Sequence, residues 1–255
     1  MAKPEKRSNA KRASRPNPRE ERNITPQYRY KVPEFNIEPR VKKKVEILPR
    51  NIRQEEYIDL LSDEDVSVVF STGPAGTGKT LLCTLFAIKA LQEGKIDKII
   101  ITRPAVSVDE QHGFLPGSLL EKMAPWVIPI TDLLKEYYSV AALEKMLAEE
   151  VIEIAPLAYM RGRTLKRAII LFDESQNATP NQMKMVLTRI GDGSRMFVTG
   201  DIQQHDRGFS DNGLKDFMNR LVLSKSDRIK MVRFETADVE RHPVVEEILN
   251  LYGEE

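Results

Sequence analysis

Short apolar runs without polar alternation recur along this 255-residue chain: Val66, Val68, Val69 and Phe70; Ile99, Ile100 and Ile101; Ala168 to Phe172; Met196, Phe197 and Val198. Such runs suit strands buried on both faces, the situation of a parallel sheet. Residues 151–154 read as a half-buried or edge strand and 229–234 as the last strand. Between them the apolar positions widen to three- and four-residue spacing, which predicts helices over 50–63, 80–92, 118–151, 180–190, 214–223 and 243–251. Ile52, Tyr57, Leu60 and Leu61 form one side of the first. Pro125 and Pro129 interrupt the third, where Trp126, Ile128, Leu133, Leu134 and Tyr137 are the expected packing residues. Thr179 ahead of Pro180 supplies an N-cap and a first-turn proline, and Gly191 a stop. Residues 105–117, with Gly113, Pro116 and Gly117, read as a long loop. Strands alternating with helices, each crossover long enough for a βαβ unit, predict a three-layer αβα sandwich with a mainly parallel sheet.

Composition divides the chain in two. At 41% apolar residues there is material for one buried core. The formal charge of +1 is uneven: the first 22 residues carry eight Lys/Arg against three acids, which leaves the remainder at −4. Prolines at 4, 16, 18, 26, 33 and 39, without periodicity, make residues 1–45 an extended or disordered basic arm, and 46–255 a single domain. Within the arm, Tyr28 and Tyr30 among Arg29, Lys31 and Arg40 could stack on bases while the cations meet phosphates, or the arm could only solubilise. The single cysteine, Cys83, falls in the second helix and reads as a small core residue of a reducing compartment. Neither an export signal nor a membrane-length apolar stretch is visible, so the expected setting is cytoplasmic and away from membranes.

The chemistry concentrates where strands end. After the first strand comes Gly73-Pro74-Ala75-Gly76-Thr77-Gly78-Lys79-Thr80, a G-x-x-x-x-G-K-[ST] loop. Its glycines let successive N–H groups converge on phosphate oxygens, Lys79 reaches the β/γ-phosphates, and the Thr80 hydroxyl is placed to ligate Mg²⁺. The helix that follows puts its positive end beneath the anion. Asp173 and Glu174 close the 168–172 strand: the first fits a carboxylate beside Mg²⁺, the second a base for the attacking water. Asp201, with Gln204, follows the 196–199 strand, where an amide could sense the γ-phosphate. An arginine is also expected, and spacing does not choose among Arg103, Arg161, Arg163, Arg189, Arg195, Arg207 and Arg241.

With ITRPAV, GFLPG, APLAYMRGRT, DESQN, QMKMVLTRIG, TGDIQQHD and DVERHPVV added to the loop, the chain from Gln54 onward resembles the PhoH-like family of P-loop ATPases. That family is similar to the first motor domain of superfamily 1 helicases. The resemblance implies a RecA/superfamily 1 motor-like P-loop fold and an ATP-dependent enzyme, with ATP and Mg²⁺, working on or with RNA. It gives Gln54 the place of an adenine-contacting glutamine and Arg241 that of an arginine approaching the γ-phosphate. Arg103, Arg161 and Arg163 resemble segments facing single-stranded nucleic acid. Ser175 replaces the usual alanine, and His112, Gln203, His205, Arg207 and Gly208 also depart from the family pattern. No residues remain for a second motor domain, so the expectation is a homo-oligomer, a ring such as a hexamer, whose neighbour supplies the missing wall. An ATPase coupled to RNA leads. A ring-forming RNA helicase and a nucleotide-switched nucleic-acid-binding protein are the alternatives. The three histidines lack metal-ligand spacing, so no metal beyond Mg²⁺ is expected.

Overall fold

The computed structural model describes residues 43–104, 127–204, 212–241 and 243–252. The basic arm before residue 43, the 105–117 loop, the GFLPG segment, Trp126, Arg207 and the three histidines lie outside the described residues. Six strands, β1 (Val68–Thr72), β2 (Lys98–Arg103), β3 (Ile152–Pro156), β4 (Ala168–Phe172), β5 (Arg195–Gly200) and β6 (Ile229–Arg233), form one sheet in the order β3-β2-β4-β5-β1-β6. Every pairing between them is parallel. Among the described residues seven α-helices accompany them: α1 (Ile52–Ser62), α2 (Lys79–Gln92), α3 (Ile128–Tyr137), α4 (Val140–Ala148), α5 (Pro180–Leu187), α6 (Gly213–Val222) and α7 (Pro243–Tyr252).

The apolar runs bury both faces because alternate residues serve opposite layers. Val69, Ile99, Ile101, Ile169, Leu171 and Phe197 pack with Tyr57, Leu82, Ile88 and Leu134 from α1, α2 and α3. Phe70, Ile100, Ile170, Phe172 and Val198 pack with Met183, Val186, Leu214 and Met218 from α5 and α6. The expected three-layer sandwich is therefore the fold, with a sheet that is wholly parallel among the described residues. Register brings the carboxyl ends together: Thr72 pairs with Gly200 and Arg233, Thr102 with Phe172, and Arg103 with Pro156. The glycine loop, Asp173-Glu174 and Asp201 all follow directly on those strand ends, which form one rim of the sheet.

Several local expectations are corrected. Ile52 is 84% exposed, and Gln54 points inward with Tyr57 and Leu61 instead. Asn51 caps α1 by accepting the Gln54 N–H at 2.9 Å, and Ile52, five residues before Tyr57 and nine before Leu61, lies on the opposite side of the helix and faces solvent. The 118–151 helix is, within the described residues, two helices: Tyr138 leaves helical geometry and Ser139 caps α4 through the Ala142 N–H. Pro129 sits in the first turn of α3, where its missing N–H costs nothing, and Ile128 is half exposed rather than packed. α5 keeps its Thr179/Gln182 capping box but stops at Leu187, short of Ile190. Ile190 bridges to Leu165, and the Gly191 N–H donates to the Leu165 carbonyl, so tertiary pairing ends the helix before the glycine does. Among the described residues no helix is long and apolar enough to cross a membrane.

Candidate nucleotide site

The loop after β1 is held open by its glycines. Gly73 has φ 136°, and a Cβ there would lie 2.3 Å from the Phe234 carbonyl oxygen just beyond β6, so only glycine lets the two segments meet. Gly78 adopts φ 83° as the N-cap of α2 and offers no side chain, which leaves the first N–H groups of the helix to a ligand. Gly73→Ala should lower the melting temperature by several degrees, consistent with at least about 1–3 kcal/mol of strain, and weaken nucleotide binding. An unchanged melting curve and affinity in differential scanning fluorimetry would contradict the close approach.

Lys79 lies folded over this loop. Its Nζ donates to the Gly73 and Pro74 carbonyls at 2.7 and 2.6 Å and to Thr77 Oγ1 at 3.2 Å. Burial pulls the ammonium below the ordinary lysine range, opposed by the Asp201, Glu174 and Asp173 carboxylates. Thr80 Oγ1 donates to Asp173 Oδ1 at 2.9 Å, joining the first turn of α2, which follows β1, to the end of β4 across the intervening β5. The same carboxylate oxygen accepts the hydroxyl of Thr199 on β5. A hydroxyl and a carboxylate side by side are hard oxygen donors, a set that fits a hydrated Mg²⁺.

Glu174 follows in left-handed backbone, φ 49°, a conformation rare for a residue with a side chain. Its Oε2 accepts from Gln176 Nε2 at 2.5 Å, and its Oε1 lies 3.7 Å from Arg103 Nη2. Gln176 uses its carbonyl oxygen to accept the Asp201 N–H at 3.1 Å, tying the Asp173-Glu174 turn to the end of β5. Ser175 is fully buried and donates to the Thr199 carbonyl at 2.8 Å. Gly200 has no room for a side chain, since a Cβ would meet Gln176 Oε1, Ser175 Oγ and Leu214 Cδ2, each at 2.8 Å.

Two further expected residues press on the loop. Gln54 is buried; its amide donates to the Thr77 carbonyl at 3.2 Å and its oxygen accepts from the Arg50 N–H at 2.9 Å. Arg241 reaches the loop from the segment after β6, with Nη2 3.4 Å from the Ala75 carbonyl. That segment is fastened by the Glu240 N–H on the Gly76 carbonyl and by Asn51 Nδ2 on the Asp238 carbonyl. Asp201 is buried and accepts the Gln203 N–H at 2.9 Å. Gln203 and Asp201 line a cavity of about 230 Å³ with Pro74, Arg233 and Glu235; Gln204 is exposed and is not part of that lining.

The other arginines separate. Arg163 pairs with Glu153 through both guanidinium nitrogens, and Arg189 donates to the Met185 and Arg163 carbonyls. Arg195 starts β5, at the end of the sheet away from the loop; its guanidinium donates to the Val66, Leu61 and Leu60 carbonyls beside Phe86 and Phe197. Arg195 is therefore removed from the candidates for phosphate contact. Arg161 is exposed on the turn after β3. Cys83 is buried as expected, its thiol pushed up to about 12 by burial and the Asp173 charge, which makes it unreactive. Gln176 belongs to the DESQN motif that carries the resemblance; Thr199 opens TGDIQQHD, but its own role is not legible in the sequence: it lies two residues before Asp201, and only the fold turns it toward Asp173.

A glycine loop capping a helix after a central strand, with a carboxylate bonded to its threonine from across one intervening strand, defines a P-loop nucleotide-binding protein. Residues 46–253 match the family described as PhoH-like protein. The chain belongs to the PhoH-like family. It is 45% identical over 208 residues to the PhoH-like protein of Bacillus subtilis (strain 168), covering 81% of this chain and 64% of that one. It is 40% identical over 211 residues to Protein PhoH of Escherichia coli (strain K12), covering 81% and 58%. The chain thus spans about three fifths of the length of these relatives. Among solved structures, the large terminase from a thermophilic bacteriophage, in complex with ADP, aligns with a TM-score of 0.47 and 11% identity, over 80% of this chain and 50% of that one.

Proposed function

We propose that the chain binds Mg-ATP, hydrolyses it, and couples hydrolysis to single-stranded RNA. The observation that carries this reading is the Thr80–Asp173 contact with Glu174 directly after it, beside a loop that Lys79 and the helix N-terminus make ready for an anion. The loop amides and Lys79 bind the phosphates, Gln54 braces the loop, and Arg241 approaches it in cis. Thr80 and Asp173 would hold Mg²⁺, which supplies neutralisation of the phosphate charge. Glu174 accepts a proton from water as the water oxygen bonds to the γ-phosphorus and the bridging P–O bond to the β-phosphate breaks, releasing ADP and phosphate. In this reading buried Asp201 belongs to the phosphate end of the site and Gln204 acts as the γ-phosphate sensor.

Coupling to RNA rests on Arg103 and Arg161 along the same rim, joined by the exposed Tyr159, whose ring offers a stacking face. Arg163, already paired with Glu153, orders the turn that carries Arg161. The basic arm of residues 1–45 ahead of the domain and assembly into a homo-oligomeric ring in the cytoplasm belong to the same reading. Phosphate release from Mg-ATP, titrated with oligouridylate, tests it. Stimulation several-fold above the RNA-free rate is expected. Hydrolysis indifferent to RNA would remove the coupling and leave the ATPase.

A further inference from the structure

We propose that Arg103 holds Glu174 idle and that a single-stranded nucleic acid lying along the β2–β3 rim draws Arg103 away, releasing the carboxylate to accept the proton of the attacking water. The inference rests on the reading of Glu174 as the base. Both of its carboxylate oxygens are engaged: Oε1 faces the Arg103 guanidinium at 3.7 Å and Oε2 accepts from Gln176 at 2.5 Å. A base so occupied is poorly placed to receive a proton from water. The two contacts differ in strength. The Gln176 bond is short, and Gln176 is itself anchored to the Asp201 N–H. The Arg103 contact lies beyond hydrogen-bond distance, so it is the one that exchanges.

Arg103 is positioned to exchange it. It is the last residue of β2, in register with Pro156 at the end of β3, and its side chain is 23% exposed. The turn Leu157–Met160 continues the rim with Tyr159, 60% exposed, followed by exposed Arg161. An aromatic face and a cation in succession suit a stacked base and its phosphate. A phosphate offers a guanidinium two parallel charge-assisted bonds, where Glu174 offers a single loose one. One side chain thus serves two anions, and the exchange carries news of the nucleic acid to the base. Among the described residues Glu174 contacts Gln176 and Arg103 and no residue of the glycine loop, so ATP affinity should not follow the exchange.

Arg103→Gln should raise the RNA-free kcat by about three- to tenfold, the factor by which a base idle for most of the time limits turnover. KM for ATP should stay within about twofold, and oligouridylate should no longer stimulate. A folded Arg103→Gln protein with an unchanged or lower RNA-free rate, or one still stimulated like the wild type, overturns the proposal. A binding measurement tests it without turnover, and without the Arg103 variants: because Arg103 is shared, Glu174→Gln should bind oligouridylate several-fold more tightly than the wild type. Equal affinities overturn it. If wild type and Glu174→Gln release phosphate equally, the reading of Glu174 as base has failed. If only Glu174→Gln is inactive and Arg103→Gln is no faster than wild type, Arg103 alone loses its role.

Discussion

Glu174→Gln should lower ATP turnover by about 10²–10⁴-fold while leaving ATP affinity nearly unchanged. The substitution is isosteric: it removes proton acceptance and the charge that faces Arg103, and no phosphate-binding group. Glu174 touches Gln176 and Arg103 rather than the glycine loop, so nothing that binds phosphate is removed. The left-handed backbone at Glu174 is set by the turn between β4 and the end of β5, where Ser175 and Gln176 are buried and bonded to Thr199 and Asp201. A glutamine occupies that turn as well as a glutamate. Phosphate release and equilibrium titration with ATP, made on the same preparation, separate the two effects. A parallel loss of affinity would mean that Glu174 supports the loop rather than the reaction.

Lys79→Ala is expected to do the reverse and weaken ATP binding by about thirtyfold or more, corresponding to a charged contact of about 2–5 kcal/mol. The lysine lies over the loop, donating to two carbonyls and a hydroxyl, and burial already disfavours its charge. A phosphate entering the loop would give that cation an anionic partner in place of neutral ones. Removal also leaves the Gly73 and Pro74 carbonyls without their donor, so some loosening of the loop should accompany the loss. Titration calorimetry with ATP and Mg²⁺ measures the change directly. Equal affinity in Lys79→Ala and Glu174→Gln would contradict the separate roles assigned to them.

What the sequence disclosed and what it concealed follow from the range of the interactions. The glycine loop, the apolar strand closing in Asp173-Glu174, and the alternation of strands and helices are local patterns, and each is found close to its expected place. Strand order is not local. The runs forming β5 and β6 read alike, yet they flank β1 on opposite sides, and only this arrangement brings the Phe234 carbonyl against Gly73 and Asp201 beside the loop. Ile52 looked like part of an apolar stripe, but its spacing to Tyr57 and Leu61 puts it on the far side of α1, and Gln54, three residues before Tyr57, takes the inward position. Arg195 was one cation among several in the sequence. Its place at the beginning of β5, surrounded by carbonyls, removes it from any phosphate, and no spacing rule foretells that. Thr199 and Gln176 gain roles only because β5 lies between β1 and β4, so that the ends of three strands share one carboxylate and one amide.

Phosphate release from ATP by the purified wild-type chain in the presence of Mg²⁺, followed well past the protein concentration, tests the central claim most directly. Continued release through many turnovers is the predicted result. Stoichiometric ATP binding without release of phosphate, with or without oligouridylate, would contradict it and leave the site a nucleotide switch.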